Sequence, residues 1–315
     1  MKGLTDIPGI RVGHVSDYEA ITGCTAILCE AGAVGGVDIR GSASGTEETP
    51  ALDPGHVTPQ VHAILLAGGS AFGLEAASGV RRYLEHRGIG FDTGAAKVPI
   101  VPAAILYDLG IAKAGVRPTM AMGEAAAAAA TTEAVPEGCV GAGTGATVGK
   151  ILGMKQAMKS GAGSFTVTLP AGVLVASLVV VNAFGDVRDP ATGKIVAGAR
   201  SSPTSHDFID TQEHMKRGAT GGFGGRNTTL AVVATNARLS KVQARKLAEQ
   251  AALGVARSIY PVNTSFDGDI VFALSLGDRD ADLNTLGVAA AEAVAAAILR
   301  AVQFAKTLGG VPGLG

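Results

Sequence analysis

The triplet Asn227-Thr228-Thr229 stands at the entrance to the apolar run Leu230-Ala231-Val232-Val233-Ala234, and it could do chemistry that an ordinary strand entrance does not. A threonine hydroxyl is a weak nucleophile until a base removes its proton. If the Asn227–Thr228 bond were cut, Thr228 would carry both a hydroxyl and a free α-amine, so one residue would supply nucleophile and base. The approach to it, Gly224-Gly225-Arg226, is glycine-rich and irregular. The same letters also describe a loop entering a buried strand, where β-branched residues are favoured. Both readings stand on the local sequence.

Several other residues carry chemistry with an ordinary alternative beside it. Asp267-Gly268-Asp269 opens a second apolar run. It reads as a turn and cap, or as two carboxylates at a sheet edge orienting a nucleophile or an amine, and it lacks the further ligands of a calcium loop. Asn182 ends Leu178-Val179-Val180-Val181, where an amide either satisfies backbone groups or donates to an oxyanion. Lys150, in a glycine-rich stretch, is a solvated cation or, if buried, a charge beside a nucleophile. Ser70 lies between a strand and a helix like the nucleophile elbow of α/β-hydrolases. However, Phe72 occupies the second glycine position of that pattern, and His206 and His214 fall in a loop-like segment.

Gly141 to Ala146 matches the relaxed dinucleotide pattern G-x-G-x-x-A, but the turn-like Ala134-Val135-Pro136-Glu137-Gly138 precedes it in place of a strand. Gly149-Lys150 has too little of a P-loop around it. His206, Asp207, Asp210 and His214 do not form a zinc signature. No metal and no cofactor are expected.

These residues must be positioned by elements that periodicity and punctuation predict. Short buried strands fall at Thr25 to Cys29 and His62 to Leu66, followed by a helix from about Phe72 to His86. An alanine-rich helix runs from Met122 to Ala134, and Ser164 to Leu169 with Val173 to Val181 form a hairpin. Pro190 to Gly225 reads as a long surface loop. Then come a strand from Thr228 to Thr235, a helix from Ser240 (its N-cap) to Ile259, a strand from Asp269 to Leu276, and a helix from Leu286 to about Lys306. Elements paired in this way predict an α/β fold of αββα type, two packed sheets with helices outside, and a single domain over 1–315.

Composition narrows the function classes. Of 315 residues, 47% are hydrophobic and 17% charged, which suits a compact, heavily buried protein. A net charge of -1 without a basic cluster gives no footprint for nucleic acid. Cys24, Cys29 and Cys139 have no metal-ligand spacing and fit a reducing cytoplasm. Leu286 to Phe304 is interrupted by Glu292 and Arg300 and reads as a buried helix, not a membrane span. A cytoplasmic protein without nucleic-acid or membrane partners is expected.

In order and spacing the motifs resemble one family, the self-cleaving aminopeptidases of N-terminal-nucleophile type (peptidase family S58), which comprises L-aminopeptidase/D-esterases, β-peptidyl aminopeptidases and nylon-oligomer hydrolases. The resemblance covers nearly the whole chain. It runs from Leu4-Thr5-Asp6-Ile7-Pro8-Gly9 and Val12-Gly13-His14 through Leu66-Ala67-Gly68-Gly69-Ser70-Ala71-Phe72-Gly73-Leu74-Glu75-Ala76 and Ile105-Leu106-Tyr107-Asp108-Leu109. It continues in Gly141 to Lys150, Val180-Val181-Asn182, Asn227-Thr228-Thr229 and Asp267-Gly268-Asp269.

The resemblance implies that Thr228 is the nucleophile and Asn227–Thr228 the self-cleavage bond, giving chains 1–227 and 228–315. It implies that Asp267 and Asp269 support the nucleophile, as in the nylon-oligomer branch. Lys150 would lie beside the nucleophile, Asn182 at the oxyanion, and Tyr107 in the substrate pocket. Ser70 would not be the nucleophile. The implied activity is hydrolysis of short peptides or small amides by a self-processing zymogen, assembled as a homo-oligomer of processed heterodimers. An acyltransferase of ornithine-acetyltransferase type and an unprocessed binding protein of the same fold are the alternatives.

Overall fold

The computed structural model describes residues 2–111, 113–219 and 227–315. Within them a nine-stranded sheet is built from β1 (Arg11–Asp17), β2 (Thr22–Ile39), β3 (Gly45–Glu47), β4 (Val61–Ala67), β5 (Ala103–Ile105), β6 (Ala162–Thr168), β7 (Leu174–Asn182), β8 (Thr228–Ala237) and β9 (Ile270–Arg279). The helices are α1 (Glu75–His86), α2 (Met120–Ala128), α3 (Thr211–Lys216), α4 (Lys241–Ser258) and α5 (Leu283–Gln303). Strand order is β6-β7-β8-β9-β2-β4-β5-β3, with β1 also on β2.

One long strand makes two layers of this ladder. The first half of β2 pairs with β1 and β4, its register with β4 breaks between Leu28 and Ala33, and Val34 to Ile39 then pair with β9. Alternation along each strand divides its side chains between cores. In β7, Ala176, Leu178 and Val180 face the inter-sheet core together with Ile64 and Leu66 of β4, while Val175, Val179 and Val181 face α4 and α5. In β2, Ile27 and Cys29 face the other sheet, and Cys24, Ala26 and Leu28 face α1 and α2. The layers are therefore helix, sheet, sheet, helix, the expected αββα arrangement.

Several expected elements recur with shifted ends. Ser240 caps α4 through a reciprocal bond with Gln243, and β6 and β7 pair antiparallel as the hairpin. The predicted helix over Met122–Ala134 is shorter, because Thr131 exchanges both backbone hydrogen bonds with Val12 and a tertiary ladder replaces the last turns. The helix expected from Phe72 begins as a 3₁₀ turn over Ser70–Leu74. α5 ends at Gln303, short of Lys306, and packs as a core helix on β6, β7 and α4.

Pro190 to Gly225 is not simply a surface loop. Ile195–Ala197 pairs with Asp186–Arg188, α3 lies inside it, and buried Asp186 accepts bonds from Ala199 N, Thr211 N and Thr211 Oγ1 at 2.7–2.9 Å. Residues 220–225 of that stretch, and Gly224-Gly225-Arg226 as the approach to Thr228, lie outside the described residues.

The helices approach the sheets closely enough to forbid a side chain at some contacts. A Cβ at Gly36 in β2 would fall on the backbone of Ala244 and Arg245 in α4. Gly36→Ala should therefore cost about 1–3 kcal/mol by overpacking, read in an uncut Thr228→Ala background as a lower denaturant midpoint at unchanged slope. Gly115→Ala, with open space around the new Cβ, should stay within about 0.5 kcal/mol of the same background. Equal effects from the two would refute the close-packing account.

Candidate active site

Topology gathers the candidate residues at one end of three neighbouring strands. β7 runs antiparallel to β8, so its last residue, Asn182, pairs with Thr228, the first residue of β8. β8 and β9 are parallel, so the segment leading into β9 lies beside the segment leading into β8, and Asn227 bridges to Asp267. Thr228, Asn182, Asp267 and Asp269 are all at most 4% exposed.

Thr228 Oγ1 donates to the carbonyl oxygen of Asn227 at 2.5 Å, and the same oxygen accepts from Gly268 N at 2.8 Å. The two aspartates hold backbone around this point. Asp269 accepts from Thr229 N at 2.6 Å and Asn263 N at 3.1 Å. Asp267 accepts from Phe184 N at 3.2 Å, Thr264 N at 3.1 Å and Thr264 Oγ1 at 2.6 Å. Burial pushes Asp269 up to about 7, and the neighbouring Asp267 charge adds to the shift. Burial also raises Asp267.

Lys150 approaches from a different element. Its backbone N bonds to Phe184 O just past β7 at 3.0 Å, and its Nζ donates to Asn182 O at 2.9 Å and Asn182 Oδ1 at 2.7 Å. Burial lowers Lys150 to about 7, with Asp267 opposing and Lys159 reinforcing the shift. The solvated reading of Lys150 is thereby excluded. Asn182 Oδ1 also accepts from Thr147 N at 3.1 Å, and its Nδ2 donates to Tyr107 O at 3.1 Å. Tyr107, Asp108, Ile111, Thr147, Lys150 and Met154 line a small pocket of about 20 Å³, room for about one water molecule.

Some of the supporting residues carried no signal in the sequence. Lys159, fully buried and lowered to about 8 by burial, donates to Ala146 O at 2.7 Å and Ser160 O at 2.9 Å, bracing the glycine-rich run before Thr147. Asp108 accepts from Thr22 Oγ1 and Gly69 N, each at 2.7 Å. Thr264 is a local partner of Asp267 three residues on, which the Thr-x-x-Asp spacing could have suggested. Ser70 stands apart from this cluster. It has a positive φ of 54°, and among the described residues no hydrogen bond joins it to His206 or His214. The run Gly141–Gly143 is a 3₁₀ turn packed on β2, without the strand-to-helix passage of a dinucleotide site.

Comparison with known proteins identifies the family and the fold. The sequence profile of peptidase family S58 matches residues 2–314. An uncharacterized aminopeptidase of Mycobacterium tuberculosis is 41% identical, covering 99% of this chain and 96% of its own. A 6-aminohexanoate-oligomer endohydrolase of a Kocuria species is 35% identical over 87% of this chain and 75% of its own. In fold, the chain is similar to the L-aminopeptidase D-Ala-esterase/amidase of Ochrobactrum anthropi. That structure is described as a variant of the N-terminal-nucleophile hydrolase fold. It has a TM-score of 0.74 at 20% identity, covering 99% of this chain and 88% of that one. A β-aminopeptidase of a Burkholderia species superposes with TM-score 0.70 at 24% identity, covering 100% and 91%.

The raised Asp269 has a consequence for stability. Unfolded, its carboxyl ionises near 3.8, and folded near 7. Between those values the folded chain binds more protons, so stability contributed by this group is present below about 4 and lost as pH rises through 7. In an uncut Thr228→Ala background, the stability relative to the same chain carrying Asp269→Asn should fall across pH 4–7, with a slope approaching ~1.4 kcal/mol per pH unit. Chemical denaturation at stepped pH measures it, and a flat or rising difference would refute the assignment.

Proposed function

The chain belongs to peptidase family S58, and from that premise we propose that it is a self-processing amide hydrolase whose nucleophile is Thr228. The observation that carries the reading is the Thr228 hydroxyl lying 2.5 Å from the carbonyl oxygen of the residue before it, at the head of a strand, among Lys150, Asn182, Asp267 and Asp269. Names of relatives support the class of bond attacked, since they describe aminopeptidases and a 6-aminohexanoate-oligomer endohydrolase.

In the first stage Thr228 Oγ1 attacks the carbonyl carbon of Asn227. The C–N bond to Thr228 breaks, its nitrogen takes up a proton, and an ester joins Asn227 to Oγ1. Water hydrolyses that ester, leaving a carboxylate on Asn227 and both a hydroxyl and an α-amine on Thr228. Burial of Thr228 at 3% exposure in the continuous chain accounts for a zymogen, because the nucleophile has neither its amine nor access until the cut is made.

In the second stage the α-amine takes the proton from Oγ1 as Oγ1 attacks a substrate amide carbonyl and passes it to the substrate nitrogen as the C–N bond breaks. Water then hydrolyses the acyl ester, releasing the acid and restoring the Oγ1 hydroxyl. An α-amine has a reference pKa of about 7.7–8.0, and Lys150 falls to about 7. Two amines in one dry site resist holding two protons, so one stays neutral and basic near neutrality. Asn182 serves the substrate oxyanion, and the small pocket beside Tyr107 and Lys150 marks the side from which a short peptide or small amide reaches Thr228. A cytoplasmic setting and a homo-oligomer of cut chains complete the proposal.

Denaturing electrophoresis tests it directly. The purified protein should resolve into a large chain and a small chain of roughly 9 kDa, the small one beginning at Thr228 by N-terminal sequencing. Thr228→Ala should remain one band and lose hydrolysis of aminoacyl, β-aminoacyl and 6-aminohexanoyl amides by at least about a thousandfold, whereas Thr228→Ser should still cut. A natural chain that stays whole on long incubation, or a Thr228→Ala chain that cuts, would overturn the reading.

A further inference from the structure

We infer that the backbone N–H of Gly268 is the oxyanion donor of the self-cleavage step, held in place by the two aspartates that flank it. The inference rests on the self-processing reading above and assigns a group that reading leaves unnamed. When Oγ1 adds to the carbonyl carbon of Asn227, negative charge gathers on Asn227 O. That oxygen has two partners beyond regular strand pairing, Thr228 Oγ1 at 2.5 Å and Gly268 N at 2.8 Å. The hydroxyl gives up its proton as it becomes the nucleophile. Gly268 N–H is the partner that remains, already within the distance an oxyanion donor requires.

The surroundings fix this donor before the reaction starts. Asp267 O accepts from Ala43 N at 2.9 Å, and Asp269 O accepts from Arg40 N at 3.0 Å and Gly41 N at 3.2 Å. The side chains of both aspartates are tied to backbone on the other side, at Phe184, Thr264, Thr229 and Asn263. The peptide between Asp267 and Gly268 is thus anchored through both neighbours and cannot swing away as charge develops. Glycine is required there by space, since a Cβ would stand 2.6 Å from Ala43 O and 2.9 Å from Thr228 Oγ1.

Asn182 belongs to a different task. Its Nδ2 is turned to Tyr107 O, and its Oδ1 accepts from Lys150 and Thr147 on the cavity side. Among the described residues Asn182 thus makes no hydrogen bond to Asn227 O, and self-cleavage on this reading relies on Gly268 N–H without it. The flanking carboxylates act on the first step as positioning residues, through the peptide they hold.

Backbone substitution by cell-free translation tests the donor without altering a side chain. Glycolic acid at position 268 replaces the N–H by an ester oxygen, and the appearance of the small chain on denaturing gels gives the rate of self-cleavage. Lactic acid at position 43 is the control. It deletes the Ala43 N–H bond to Asp267 O, which the first replacement also weakens, and leaves Gly268 N–H intact. The 268 ester should slow self-cleavage by about a hundred- to a thousandfold, and the 43 ester should stay within about threefold of the natural chain. Equal slowing by both esters, or self-cleavage of the 268 ester within threefold of natural, would overturn the inference.

Should the 268 ester not fold, infrared spectroscopy on an intact Thr228→Ala chain with a ¹³C-labelled Asn227 carbonyl decides the point. The carbonyl stretch should lie at the low frequency of a strongly hydrogen-bonded amide, and a frequency typical of an unbonded one would overturn it. A natural chain that never cuts at 227–228 would instead remove the self-processing reading itself.

Discussion

An ammonium group taken out of water sets the terms for the whole site. Lys150 Nζ is buried, and its hydrogen bonds go to two oxygens of the neutral Asn182, with Asp267 and Asp269 acting on it through their field. Neutral acceptors offset only part of a desolvation cost of several kcal/mol, so the proton is held loosely and the group falls to about 7. The partners also have to be in place without flexible reach, which explains why they come from strand ends. The antiparallel β7–β8 pair and the parallel β8–β9 pair bring one C-terminus and two N-terminal approaches to a single point.

The rest of the fold holds that point in place. Alternating side chains fill three cores, one between the sheets and one under each helical layer. Close helix-to-strand contacts at glycine, as at Gly36 against α4, fix the distance between helices and sheets. Within the cluster most acceptors are already engaged by backbone N–H groups, so the carboxylates serve as struts as much as charges.

Much of this was legible in the sequence, for physical reasons that differ between residues. β8 could be seen because a hydroxyl residue precedes an unbroken apolar run, and the αββα layering follows from strands arriving in pairs. Asn182 and the Asp267–Asp269 pair stood out as polar groups ending or opening buried strands. Lys150 was visible as a residue, yet whether it is buried depends on the turn after β7, which no local pattern encodes. Gly268 was hidden because its contribution is a main-chain N–H, the same in every residue but proline. The segment after Pro190 misled because its order comes from a distant carboxylate, Asp186, and not from its own composition.

The position of β8 and β9 has a consequence for what a cut chain would be. The segment after Asn227 carries β8, α4, β9 and α5, and the two strands lie in mid-sheet, with β7 on one side and β2 on the other. Breaking the 227–228 bond would sever one covalent link and no ladder, leaving two pieces interlaced along both edges of the insert. Assembly of those edges is unimolecular while the chain is whole and bimolecular once it is not. The folded form would then outlast the instructions that built it, and its persistence would be set by the rate of unfolding and not by any equilibrium with its parts.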